Sequence, residues 1–88
     1  MTPAASHLHN WLFFHSGDST DLLWDDIARL RRINAEMYKH LPMSREVMVG
    51  LLEALEAEGL ARQETVGGRQ LWFYKAEKKA EPQGSLFT

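Results

Sequence analysis

NAEMYKHLPMSREVMVGLLEALEAEGLARQETVGGRQLWFY, Asn34 to Tyr74, changes its hydrophobic period partway along, and that change decides the fold. Before Gly59, the residues Val47, Met48, Leu51, Leu52 and Leu55 recur at intervals of three and four, which puts them on one face of a helix. Ser44 supplies a cap and Gly59 a left-handed stop, so a helix is predicted from there to about Glu58. After Gly59 the pattern alternates. Leu60–Val66 and Arg69–Lys75 flank Gly67-Gly68, a pair that tolerates the positive φ angles of a two-residue hairpin turn. The register then sets Val66 opposite Arg69, Glu64 opposite Leu71, Gln63 opposite Trp72 and Arg62 opposite Phe73. Leu71 and Phe73 share one face, Trp72 and Tyr74 the other, and pattern alone does not say which is core.

Upstream of Ser44, Asn34 is a cap for a short helix, Ala35 to Leu41, with Met37, Tyr38 and Leu41 facing inward. Pro42 disfavours helical geometry at Leu41 and enforces a turn. Two helices joined by a tight turn cross at a steep angle, so residues 35–58 are predicted to form a helix-turn-helix.

Two further helices are expected before it. Thr2, Pro3 and Gly17 bracket a helix over residues 3–16. Ala4, Leu8, Trp11, Leu12 and His15 give it an apolar face, which Phe13 and Phe14 widen beyond one stripe. That excess predicts burial on two sides, against a second copy of the chain. A helix over residues 20–33 follows, capped from Asp18, Ser19 or Thr20, with Leu23, Ile27 and Leu30 inward. Its acids sit near the positive end and Arg29, Arg31 and Arg32 near the other. The arginine cluster compensates the helix dipole on a solvated face, or contacts phosphate. The expected class is therefore mainly α with a small β-hairpin, four helices followed by a two-stranded wing. Residues 1–76 form one domain, and composition predicts a flexible tail over residues 77–88.

The chain has 88 residues, 44% of them hydrophobic, and no cysteine. Its size excludes a two-domain enzyme with a deep cleft, and the lack of thiols excludes disulfides and cysteine nucleophiles. No apolar run approaches the ~20 residues that span a bilayer. No Lys or Arg precedes the apolar part of residues 1–15, so no signal peptide is expected. These features predict a soluble, cytoplasmic protein without membrane contact. Charge is unevenly spread. Residues 1–28 hold four Asp and no Lys or Arg, whereas the rest carries ten basic residues against eight Glu. This polarity permits nucleic-acid contact on one side without demanding it.

With its LEALEAEGL phrase running into a Gly-tipped hairpin, Asn34–Tyr74 resembles the winged helix-turn-helix proteins, in particular small bacterial regulators of the MarR and ArsR type. The resemblance covers about half the chain. It implies that the helix beginning at Ser44 enters the major groove of double-stranded DNA, with Ser44, Arg45, Glu46 and Val49 towards the bases. Arg45 would then read guanine, Ser44 hold a phosphate and Val49 touch a thymine methyl. Arg62 and Arg69 on the wing, with Lys39 and His40 before the turn, would contact the backbone. A homodimer, joined through the N-terminal helix, would engage two half-sites. The chain departs from the family at Tyr38 and Pro42, where a small residue and a glycine are usual. The reading helix also carries Glu46, Glu53, Glu56 and Glu58 against one Arg, and acids are repelled by phosphate. Many winged helices bind proteins instead.

The terminal residues Gln83-Gly84-Ser85-Leu86-Phe87 resemble the short peptide by which bacterial replication and repair proteins bind the DNA polymerase sliding clamp. Gln83, Ser85, Leu86 and Phe87 match its pattern, and Gly84 departs from it. Gln would satisfy polar groups at a pocket edge while Leu and Phe fill an apolar groove. The other reading has Leu86 and Phe87 folding back over the domain. An adapter gripping the clamp through Gln83–Phe87 is thus the alternative to a DNA-binding regulator.

Nothing in the sequence argues for catalysis, a metal or a cofactor. His7 and His9 are two apart, on different faces of a helix. Gly67-Gly68 lacks the Lys-Ser/Thr of a phosphate loop, and adjacent Asp25 and Asp26 suit a charged face.

Overall fold

Each helix begins at a hydroxyl that closes its first turn. The computed structural model describes residues 2–77. Thr2 Oγ1 accepts from the Ala5 amide at 3.2 Å and opens α1 (Pro3–Phe13). Ser19 Oγ accepts from the Leu22 amide at 3.2 Å and opens α2 (Thr20–Ile33). Ser44 Oγ accepts from the Val47 amide at 3.2 Å and opens α3 (Arg45–Ala57). α3 closes where Gly59 adopts φ +78°. There the Leu60 amide reaches the Leu55 carbonyl at 2.8 Å and the Gly59 amide reaches that of Glu56 at 3.0 Å, the paired bonds of a Schellman cap.

Among the described residues the helices number three, not four. The predicted helix over 35–41 is a run of turns. Asn34 does start it, its side chain accepting from the Met37 amide at 3.0 Å and its carbonyl from Tyr38 at 3.1 Å. Nothing propagates it. Helix nucleation is costly and Leu41 is pinned by Pro42; Leu41 and Tyr38 pack on the core, but Met37 is 67% exposed, so the apolar stripe is only partly buried to offset that cost. Arg31 fills the gap instead. Its guanidinium donates to the Tyr38 and Leu41 carbonyls at 3.3 and 3.1 Å, holding the segment against the end of α2. The connection between α2 and α3 is thus a long turn, and the predicted helix-turn-helix over 35–58 contains one helix. The first helix also stops at Phe13, three residues short of the predicted end.

The predicted two-stranded wing belongs to a three-stranded antiparallel sheet. β2 (Ala61–Val66) and β3 (Arg69–Tyr74) pair in the expected register, from Ala61 opposite Tyr74 to Val66 opposite Arg69. On the other edge of β3 lies β1 (Asp18–Ser19), opposite Trp72 and Leu71, so the order is β1-β3-β2. Gly17, at φ +95°, turns the chain from α1 into this strand and donates its amide to the Trp72 carbonyl at 2.6 Å.

Trp72 decides the buried face of the hairpin. It is 1% exposed and packs with Leu8, Leu12, Leu23, Ile27, Met48, Leu52 and Leu55. Val47 is not part of this core but is 49% exposed, and Leu51 is half-buried. His9 is buried too, its Nε2 2.8 Å from the Lys75 carbonyl and its ring stacked on Tyr74. No helix among the described residues is long and apolar enough to cross a membrane.

Candidate nucleic-acid interface

The N-termini of α2 and α3 and the tip of the β2–β3 hairpin meet at one cleft of about 410 Å³. Ser19, Thr20 and Asp21 line it from α2, Arg45 from α3, and Thr65, Gly68, Arg69 and Gln70 from the hairpin. Sequence order separates these residues; the pairing of β1 with β3 brings them together. Thr20 joins the walls, its hydroxyl lying 3.5 Å from the Gln70 carbonyl. Gly67 and Gly68 both take positive φ, +58° and +80°, as a tight reversal between two strands requires.

Arg45 and Arg69 are both exposed and bring two positive charges to this cleft. The N-terminal ends of two helices carry partial positive charge, although Ser19 and Thr20 at the start of α2 are buried. Against them stands Asp21, whose Oδ1 lies 2.6 Å from Arg45 Nη1. The pair is solvent-exposed, with side chains 47% and 77% accessible, so it contributes only ~0–1 kcal/mol. An anion that offers Arg45 a better partner displaces Asp21 at small cost. The outward face of α3 beyond the cleft is different in sign. Arg45, Glu46, Val49, Gly50 and Glu53 line a shallow depression there.

Of the residues expected to contact DNA, Arg45 and Arg69 line this cleft, Glu46 and Val49 line the neighbouring depression with Arg45, and Ser44 caps α3 one residue before Arg45. Ser44 accepts from the Val47 amide with one oxygen lone pair and keeps its hydroxyl proton to donate. The other residues expected to contact DNA lie elsewhere. Lys39 pairs with Glu36 at 3.0 Å, and His40 stacks on His7 of α1 at 4.3 Å between ring centroids. Both line a depression with Pro3, Ala4 and Met43. Arg62 stands towards the base of the hairpin, four rungs and roughly 13 Å from Arg69. It pairs with Glu64 and lies over the Phe73 ring, 4.6 Å from its centroid. Gln83, Ser85, Leu86 and Phe87 lie outside the described residues.

Sequence reasoning missed Asp21, Thr65 and Gln70, which carry no motif and join the cleft only through the sheet. It also missed the setting of His15. That ring stacks on Trp11 at 4.0 Å, and its Nδ1 lies 3.5 Å from Asp18 and 3.3 Å from Asp26. The spacing of His15 and Asp18, one helical turn apart, was the available signal. The cluster ties the end of α1 to α2. Among the described residues no group of three or more His, Cys, Asp or Glu side chains is arranged to hold a metal ion.

A scan against protein-family models found no match to this chain, and searches of curated proteins and of solved structures likewise found none.

Proposed function

We propose that this chain is a DNA-binding protein, a small transcriptional or replication-linked regulator that contacts duplex DNA through the start of α3 and the tip of the β2–β3 hairpin. The observation that carries this reading is the convergence of Arg45 and Arg69 on one cleft with two helix N-termini. Phosphate is the ligand that such a cleft suits, because amide groups and guanidinium forks both donate to its oxygens. Arg45 exchanges Asp21 for a phosphate, Arg69 grips a second one from the hairpin, and Ser44 donates its hydroxyl. Glu46 and Val49 then face the base edges, where a carboxylate accepts from a cytosine amino group and a valine methyl meets a thymine methyl. Two phosphate contacts per chain give weak binding, so a homodimer formed through the exposed Phe13 and Phe14 at the end of α1 is part of the proposal.

A salt titration of binding to a mixed duplex, read by fluorescence anisotropy, tests it. Two contacts predict a log–log slope of about −1.8 per chain, lost in Arg45→Ala/Arg69→Ala. Binding that is absent at low salt, or indifferent to both substitutions, removes the reading.

A second reading is favoured by the acids Glu46 and Glu53 on the exposed face of α3. They repel phosphate and suit a protein partner. In this reading the chain is an adapter that holds the polymerase sliding clamp through Gln83–Phe87. Ser85→Asp then keeps clamp affinity and Leu86→Ala/Phe87→Ala abolishes it. Unchanged affinity in that double variant rejects the adapter.

A further inference from the structure

α3 has a third face, distinct from its core side and from the side beside Arg45. Val47, Leu51 and Ala54, with the C-cap Glu58 in line, share it, turned roughly 120° about the helix axis from Glu46, Val49, Gly50 and Glu53. Between this face and the first turn of α1 runs a groove of about 550 Å³ lined by Thr2, Ala5, Leu51, Ala54, Leu55 and Glu58. Most of its wall is apolar. Past Leu51 it continues into the depression formed by Pro3, Ala4, Met43 and Val47, where Met43 is 76% exposed. At its other end Glu58 also borders the hollow formed by Gly59, Leu60, Lys75 and Glu77. The described chain leaves the domain at that point, with the Lys75 amide held 3.2 Å from the Leu60 carbonyl.

Glu77, the last described residue, borders the hollow at this end of the groove, and eleven residues, KKAEPQGSLFT, follow it in sequence. We infer that this segment docks along the groove, Leu86 and Phe87 filling the apolar stretch between Leu51, Ala54 and Met43. Reach permits it. Glu77 to Leu86 is nine residues, ~30 Å when extended, while Glu58 to Val47 is eleven helical residues, ~16 Å along the axis. Charge agrees, because Lys78 and Lys79 follow directly after the hollow that Glu58 and Glu77 border. A tethered segment also meets the groove at an effective concentration of about a millimolar, which a second copy or a free partner must exceed. The docked segment hides the residues that the adapter reading assigns to the clamp, so a clamp would have to displace it. The inference does not depend on DNA contact, which involves a different face of α3.

The chain has no cysteine, so a pair can be introduced without competing thiols. Ala54 lines the groove and is exposed; Glu53, its neighbour in sequence, faces the other depression. In the full chain, Ala54→Cys/Ser85→Cys should close an internal disulfide about tenfold faster than Glu53→Cys/Ser85→Cys, which has nearly the same tether. Adding Leu86→Ala/Phe87→Ala should bring the fast pair down to the rate of the slow one. Circular dichroism identifies any variant that fails to fold. For such a variant, amide exchange at Leu51 and Ala54 in the unaltered chain, compared with Leu86→Ala/Phe87→Ala, gives the same decision. Equal rates for the two pairs overturn the inference, as does a fast pair indifferent to the two alanines or a disulfide that forms between chains on dilution.

Discussion

The indole Nε1 of Trp72 donates to the hydroxyl of Thr20 across 2.8 Å, joining the central strand to the first residue of α2 inside the core. Both residues are buried, so the indole N–H depends on Thr20, whose hydroxyl also reaches the Gln70 carbonyl at 3.5 Å. Thr20→Val keeps the shape but strands the indole N–H, and should cost about 1–3 kcal/mol. Trp72→Phe removes the donor and some volume and should cost about 2–4 kcal/mol. The double variant should cost less than the sum of the two. Urea denaturation of all three measures this, and full additivity would show that the bond contributes nothing.

Gly59 ends α3 at φ +78°, and a Cβ added there meets no atom within 4 Å. Gly59→Ala therefore tests conformation alone. The expected loss is about 1–2 kcal/mol, with no change in the slope against denaturant.

Arg31 bonds two carbonyls of the turn that precedes α3. Arg31→Ala should accelerate amide exchange over residues 35–41 severalfold and cost about 1–2 kcal/mol overall. Arg32→Ala, on an exposed neighbour, should do neither. Equal effects from the two would mean that the turn is held by other forces.

Asp21 pairs with Arg45, and in the proposed DNA complex it would compete with phosphate for that guanidinium. Asp21→Asn should raise affinity for duplex DNA severalfold at low salt, an advantage that fades as salt rises. The price is a weaker charge–dipole contact at the start of α2, no more than about 0.5 kcal/mol. Unaltered affinity, with DNA binding otherwise present, would place Arg45 away from the phosphates.

What could be read from the residues depended on how local the cause was. Thr20–Ile33 was legible to the residue because its caps, charges and apolar stripe agree. The hairpin register was legible because Gly67-Gly68 fixes the turn and alternation does the rest. β1 was not. Two polar residues show no alternation, and Asp18 and Ser19 also read as caps, a role Ser19 does fill. The helix over 35–41 was predicted because Asn34 and the Met37–Tyr38–Leu41 spacing are helical in form. Missing was any partner to bury Met37 and any account of Arg31 as a source of hydrogen bonds. At the cleft, Arg45 and Arg69 are legible as basic residues at a helix start and a hairpin tip. Their convergence, and the opposition of Asp21, follow from β1 lying against β3 and had no local signature.

That short strand also sets when the domain can be completed. The sheet partners of Asp18 and Ser19 are Trp72 and Leu71, and the Gly17 amide bonds the Trp72 carbonyl, so a chain still emerging from the ribosome lacks the strand that β1 needs. Closing so wide a loop is the kind of long-range step that slows folding. Assembly should therefore come after synthesis of Trp72, in one concerted event, and not grow outward from the N-terminus.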